Sequence, residues 1–304
     1  MKKIIYLYGK NGLLDFSSRK IEGYEVCQMD VFRKDMPTLL LKIFRRLGYA
    51  FSYFTYDKWK YKKKEYDYSI IPDGLITKPV LKYLSKHPIA DKQIVYYWNK
   101  IRKEDEPLFN YVKKCGYTIM TYNKNDADKY GILYNSQCWD KAYLSDLKPN
   151  VEIEQDVCFL GYVKDRYDIL CNIKENIEKL DMTTKFYMVS NNKQAGTVNK
   201  PIQYKDYLAE CNSSNALLDV VSHSNWGLTF RPLEALFMKK KLITNYTDIK
   251  DCDFYVPYRK NIFILGEDDI NKLKEFVKTP FYEPEEEFDL NSYDIESWVK
   301  RFCI

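Results

Sequence analysis

The chain has 304 residues, with 48 Lys and Arg against 43 Asp and Glu, and a formal net charge of +5. Apolar residues make up 45% and charged residues 30%, which excludes a disordered chain and leaves material for cores in two domains. No run of ~18 apolar residues is present to form a transmembrane helix. Eight scattered Cys without a CxxC pair, and only His87 and His223, exclude the common zinc spacings and a His-rich metal site.

Aromatic content is 16%, led by 28 Tyr, and reads as compositional bias for the chain as a whole. The first residues, MKKIIYLYG, carry an apolar run too short for a signal peptide and no small-residue cleavage site. A cytoplasmic location with reduced thiols is expected.

Residues 3–8 read as a first strand closed by a Gly-containing turn. Further strands are expected at 24–30 and at 68–71, the latter ending in the turn signal Pro72-Asp73-Gly74. Helices at 78–86 and 106–115 alternate with strands at 93–98 and 117–122. A polar, Pro-containing linker covers 146–155. The alternation then restarts with a strand at 156–160, Gly161 and a helix over 165–180. A strand at 185–189, a helix at 204–212 and a strand at 216–221 follow. Next come a helix at 232–239, strands at 241–244 and 261–265, and helices at 266–279 and 292–302. Two β/α halves of similar size, each opening on a strand–Gly turn, predict two Rossmann-like domains facing a cleft.

Residues 215–245, NALLDVVSHSNWGLTFRPLEALFMKKKLITN, are the most informative stretch. A buried strand leads through a polar loop to Gly227, Leu228 and Thr229, and Pro232 opens a helix. Free amides and the helix dipole there suit an anion. Arg231 is electrostatically unfavourable at a helix N-terminus, and its fork suits diphosphate oxygens. Glu234, one turn on, has the geometry to accept two ribose hydroxyls. An Arg231–Glu234 surface pair capping a core helix explains the same spacing.

This stretch resembles the nucleotide-sugar motif of GT-B glycosyltransferases, above all bacterial enzymes of lipopolysaccharide core and capsular polysaccharide biosynthesis. IVYYWN (94–99), TYNKNDADKYGILYNSQCW (121–139) and DVCFLGYVKDRYDIL (156–170) resemble other runs of that family. Asn99 stands where an acid usually follows the Trp, and Asn225-Trp226 where a Gln usually precedes Gly-Leu-Thr. The resemblance implies an α/β GT-B fold. Residues 1–148 would be the acceptor-binding Rossmann-like domain and 149–290 the nucleotide-sugar-binding one, with 291–304 a terminal helix crossing back to the first. It implies that Glu234 binds the donor ribose and that Arg231 and the amides of Gly227, Leu228 and Thr229 hold the diphosphate. Gly161 would allow close backbone approach, with Arg166 reaching the phosphates from there. His223 and Ser224 fall in the same donor loop.

In this arrangement amides and Arg stabilise the leaving diphosphate without a metal or other cofactor. Asp126-Ala-Asp128 and Asp251-Cys-Asp253 match a metal-binding DxD, but such pairs are common by chance, and Asp126 sits where a helix N-cap belongs. An inverting reaction needs a general base from the first domain. Asp15, Asp30 and Asp73 are candidates, and Asp73, directly after a strand, is preferred.

Residues 33–64 hold ten Lys and Arg against Asp35 and Asp57, a local excess of +8. Aromatic and aliphatic residues interleave them. Arg45, Arg46, Trp59, Lys62, Lys63 and Lys64 are the candidate contacts to an anionic membrane surface or a lipid-linked acceptor. The same mix suits a core helix with a solvated basic face. Single-stranded nucleic acid is the least favoured partner.

The reading is a peripheral glycosyltransferase moving a sugar from a nucleotide sugar to a bacterial surface glycan. Its rivals are a polyol-phosphate transferase of the same fold and a non-enzymatic nucleotide- or nucleic-acid-binding protein.

Overall fold

A computed structural model describes residues 1–9, 14, 16, 20–46, 49–192, 194–222, 226–284 and 288–303. The chain divides into two compact units, Met1–Gln137 with Ile295–Ile304 and Cys138–Asp294.

Unit 1 is built on strands β1 (Lys2–Tyr8), β2 (Tyr24–Asp30), β3 (Tyr66–Pro72), β4 (Ala90–Tyr97), β5 (Thr118–Thr121) and β6 (Leu133–Tyr134). They form one sheet in the order β2-β1-β3-β4-β5-β6, with every pair parallel. A parallel sheet is covered on both faces, so its strands read as apolar runs rather than alternating patterns. Ile4, Ile5 and Leu7 of β1 and Ile70 and Ile71 of β3 are accordingly buried. Helix Lys78–Lys86 starts where Thr77 Oγ1 accepts from the Val80 amide at 3.4 Å, with Pro79 in the first turn.

The helix after β5 corrects one expectation. Its N-cap is Asn123, whose side chain accepts from the Asp126 amide at 3.0 Å, and Asp126 lies inside Lys124–Tyr130. The Asp126 carboxylate turns inward to accept from the Ile101 amide at 2.7 Å.

Unit 2 carries β7 (Gln155–Tyr162), β8 (Thr184–Val189), β9 (Thr197–Val198), β10 (Ser214–Asp219), β11 (Lys241–Thr244) and β12 (Ile262–Ile264). Their order is β12-β11-β10-β7-β8-β9, again all parallel. Counted from β7, this is the 3-2-1-4-5-6 order of dinucleotide-binding folds. Residues 138–154 pack onto this unit through Trp139, which is buried and whose amide donates to Tyr293 O at 2.9 Å.

Two expected helices are shorter than their charge and apolar patterns suggest. Gly266 adopts φ 87°, and Asp269 caps the turn Ile270–Lys272, so the α-helix begins only at Leu273 and runs to Lys278. The terminal element breaks at Asp294, which is extended. A 3₁₀ turn, Leu290–Tyr293, precedes it and the helix Ile295–Lys300 follows. In unit 1 that helix buries Trp298 among Tyr96, Trp98 and Phe302, with ring centroids 5.2, 5.1 and 4.6 Å away.

Candidate functional site

In unit 2 the strand order reverses between β7 and β10, and ligands of such sheets bind at the carboxyl ends of the strands beside that reversal. β7 ends there in Leu160, Gly161 and Tyr162, and β10 ends in Asp219. Two arginines converge on these ends. Arg231, the first residue of helix Arg231–Phe237, donates from Nη1 to Leu218 O at 3.0 Å and from Nη2 to Leu160 O at 2.7 Å. Its guanidinium therefore ties the two central strands together. Arg166 does the same one step further out, donating from Nη1 to Val220 O and from Nη2 to Tyr162 O. Among the described residues, these bonds do not exhaust the donors of either guanidinium.

Gly161 lies directly against Arg231. Its φ is 158°, a conformation L side chains rarely adopt, and a Cβ there would stand 3.5 Å from Arg231 Nη2. Asp219 balances the charge. It is buried, accepts from Thr229 Oγ1 at 2.9 Å and Thr244 Oγ1 at 3.4 Å, and lies 3.9 Å from Arg231 Nη1. Burial pushes its carboxyl above the usual range, against the pull of Arg231 and Thr229. Burial also works against the Arg231 charge, but Tyr207, Asp219 and Glu234 outweigh it and hold its pKa above the ordinary value. Arg166 is shifted the other way, first by burial and then by repulsion from Arg231.

Glu234 is only 3% exposed on the inner face of its helix. Tyr204 donates to its Oε1 at 2.7 Å and Tyr207 donates to its Oε2. The two rings stack with centroids 5.5 Å apart, and Trp139 Nε1 donates to Tyr204 Oη at 2.8 Å. Burial raises the Glu234 pKa, opposed by Arg231. The hydroxyls that this carboxylate accepts in the structure are thus tyrosine hydroxyls. Thr229 is likewise occupied, accepting from the Arg231 amide at 3.2 Å and so starting the helix. Gly227 and Leu228 are buried beside it. His223 and Ser224 lie outside the described residues.

Asp219, Tyr204 and Tyr207 are absent from the sequence reading. An acid ending the apolar run ALLD was a visible signal for Asp219. Tyr204 and Tyr207 had none, because their role depends on a helix meeting Glu234 from 27 and 30 residues away.

In unit 1, Asp73 directly follows β3. Its Oδ1 accepts from the Trp98 amide at 3.2 Å and its Oδ2 from the Asn99 side-chain amide at 3.0 Å. Burial raises its pKa, and the Asn99 and backbone donors lower it. Asp15 lies outside the described residues, as does the side chain of Arg45. Asp30 is paired with Lys34 Nζ at 2.7 Å.

The basic segment is divided by the fold. Trp59 is fully buried, and its Nε1 donates to Val31 O at 2.8 Å, which corrects its expected place on a membrane or acceptor surface. An indole in a basic stretch suggests an amphipathic surface residue, but this one anchors a 3₁₀ turn, Lys58–Tyr61, into the core beside Tyr56 and Tyr83. Arg46, Lys63 and Lys64 are exposed, and Lys62 pairs with Glu65 at 2.8 Å.

Two Rossmann-like parallel sheets with helices place the chain in the α/β class with the GT-B fold. No protein-family model and no curated protein sequence matches it. Among solved structures it is similar to an alpha-glucosyltransferase in complex with UDP and a 13-mer DNA containing a central A:G mismatch. That likeness covers 99% of this chain and 95% of the other at 12% identity, with a TM-score of 0.53. It is also similar to AviGT4, a glycosyltransferase involved in avilamycin A biosynthesis, at 10% identity over 100% and 96% of the two chains, with a TM-score of 0.49. No helix among the described residues is long and apolar enough to cross a membrane.

Proposed function

We propose that the chain transfers a sugar from a nucleotide sugar to a glycan acceptor, with unit 2 holding the donor and unit 1 serving the acceptor. The observation that carries this reading is the pair of guanidiniums, Arg166 and Arg231, at the carboxyl ends of β7 and β10. Asp219 answers the Arg231 charge, whereas Arg166 is repelled by Arg231 and gains from an anion, and a nucleoside diphosphate supplies one whose charge grows as the glycosidic bond breaks. Fixed arginines stabilise that charge in place of a metal.

Glu234 is proposed as the ribose contact. Tyr204 is the more exposed of its two donors. Its hydroxyl stands in for a ribose hydroxyl, to be displaced when the donor enters. Asp73 is proposed as the general base that takes the proton of the attacking acceptor hydroxyl, with Asn99 holding its second oxygen. The motif likeness over 215–245 and the basic segment support a bacterial surface glycan, lipopolysaccharide or capsule, presented on a lipid at an anionic membrane. The protein would then work at the inner face of the cell membrane.

The excess of +8 over 33–64 favours a second reading, in which nucleic acid is the partner. The similar alpha-glucosyltransferase was itself solved with DNA. Release of nucleoside diphosphate, followed over a panel of nucleotide sugars with glycan and DNA acceptors, separates the two. The glycan reading expects acceptor-dependent release that is lost in Asp73→Asn. Release stimulated only by DNA overturns the acceptor, and no release with any donor overturns the reading.

A further inference from the structure

In unit 1, helix Thr38–Arg46 turns an unusual stripe to solvent. Leu39, Lys42, Ile43 and Arg46 follow one another at spacings of three, one and three residues, which puts them on one helical face, and all four are exposed. Leu39 is 69% exposed. The following segment adds Phe51 and Phe54, also exposed, with Phe54 tied to Phe44 of the helix at 6.2 Å between ring centroids. Exposed apolar side chains clustered this way mark a surface that something covers.

The cations on this stripe share a cavity of about 270 Å³ lined by Lys42, Arg46, Thr77 and Pro79. Among the described residues no carboxylate lines it. Among the described residues neither Lys42 nor Arg46 has an ion-pair or hydrogen-bond partner. Like charges four residues apart destabilise a helix, and this helix has no acid in its first turn to compensate. An ammonium and a guanidinium facing one cavity suit a phosphate group, the guanidinium by its fork and the ammonium as a point charge. The apolar neighbours decide which phosphate. A free phosphate leaves Leu39, Ile43, Phe51 and Phe54 in water, whereas a lipid headgroup brings acyl chains to meet them.

We infer that this cavity seats the phosphate of an anionic phospholipid, with Leu39, Ile43 and their aromatic neighbours entering the headgroup–acyl boundary. The inference rests on the membrane-facing reading of unit 1 and gives it a defined seat rather than a diffuse positive field.

The test uses the full chain with vesicles of phosphatidylcholine alone and of phosphatidylcholine mixed with phosphatidylglycerol. A diffuse field costs about fivefold in affinity per cation removed, wherever it lies. Lys42→Ala with Arg46→Ala is compared with Lys62→Ala and Lys63→Ala, which remove the same charge outside the cavity. The seat predicts a loss in the first double variant at least tenfold beyond that in the second. It also predicts that inorganic phosphate releases wild-type protein from the mixed vesicles better than chloride of equal ionic strength. Equal losses in the two double variants, or equal release by the two salts, would overturn it. So would binding of inorganic phosphate by a chain that ignores both vesicles. Both pairs are at the surface, and melting of each variant checks its fold. Stabilisation by nucleotide sugars, read on the same samples, reports the donor site in unit 2. Its retention beside a failed vesicle result sinks the lipid seat alone.

Discussion

The side-chain amide of Asn99 donates to Oδ2 of Asp73 at 3.0 Å, at the position where the resembling enzymes usually carry an acid. Asp73 is therefore a single carboxylate held by an amide rather than one of two acids sharing a proton. Asn99→Asp would place a second carboxylate within hydrogen-bond reach, and one of the pair would have to stay protonated to a higher pH. The acid limb of the pH–rate profile is expected to move to higher pH in Asn99→Asp. An unmoved limb would show that Asp73 does not act as the base.

Removing the proposed base should be more severe. General base catalysis is worth about 10²–10⁴ in rate. Asp73→Asn is expected to lower kcat by that order while leaving nucleotide-sugar binding, proposed for unit 2, unchanged. Titration calorimetry and turnover on the same preparation check the split.

Arg231 carries a structural burden as well as a proposed functional one. It ties Leu160 O to Leu218 O and faces two buried acids, Asp219 and Glu234. Arg231→Ala leaves both acids without their main counter-charge, a loss of about 3–5 kcal/mol. A fall of roughly 10 °C in Tm is expected by calorimetry. Activity loss in this variant is therefore no test of phosphate binding, and Arg166, nearer the rim, is the better probe.

Lys241 supplies a pH signature in the fold. It is buried, donates to Lys260 O at 3.0 Å and Asn261 Oδ1 at 3.1 Å, and burial brings its pKa down from 10.5 to about 8. Between about pH 8 and 10.5 the unfolded chain binds the proton and the folded one releases it, so this group makes stability rise with pH across that window. Denaturant midpoints measured through it should show that rise for wild type relative to Lys241→Met. Parallel curves for the two proteins would contradict the burial.

The terminal helix is expected to hold unit 1 together although most of that unit precedes it by far in sequence. Trp298 is fully buried among Tyr96, Trp98 and Phe302. Trp298→Ala should cost about 3–5 kcal/mol. Among the described residues its Nε1 is buried without an acceptor, so Trp298→Phe should cost far less. Chemical denaturation of the two variants ranks them.

The parallel strands were legible because two covered faces leave a continuous apolar run, as in IIYL of β1 and VCFL of β7. The two-residue strands β6 and β9 carry too little pattern to be seen. Arg231 and Glu234 were legible as a pair on one helix, but, apart from the acid that ends ALLD, their partners were not. Asp219, Tyr204 and Tyr207 reach them only through the strand order and the packing of helix Tyr204–Asn212. Trp59 failed for the opposite reason, since charge density along a segment does not say which of its side chains point inward.

The Arg166–Arg231 pair is proposed to receive a nucleoside diphosphate. Ligand-dependent melting over a panel of nucleotide sugars tests it most directly, comparing wild type with Arg166→Ala. A ligand at 100 times its Kd adds about 2.7 kcal/mol to stability. At least one nucleotide sugar is expected to raise the wild-type Tm, with most of that rise lost in Arg166→Ala. A panel that leaves wild type unmoved, or a rise that Arg166→Ala retains in full, would contradict it.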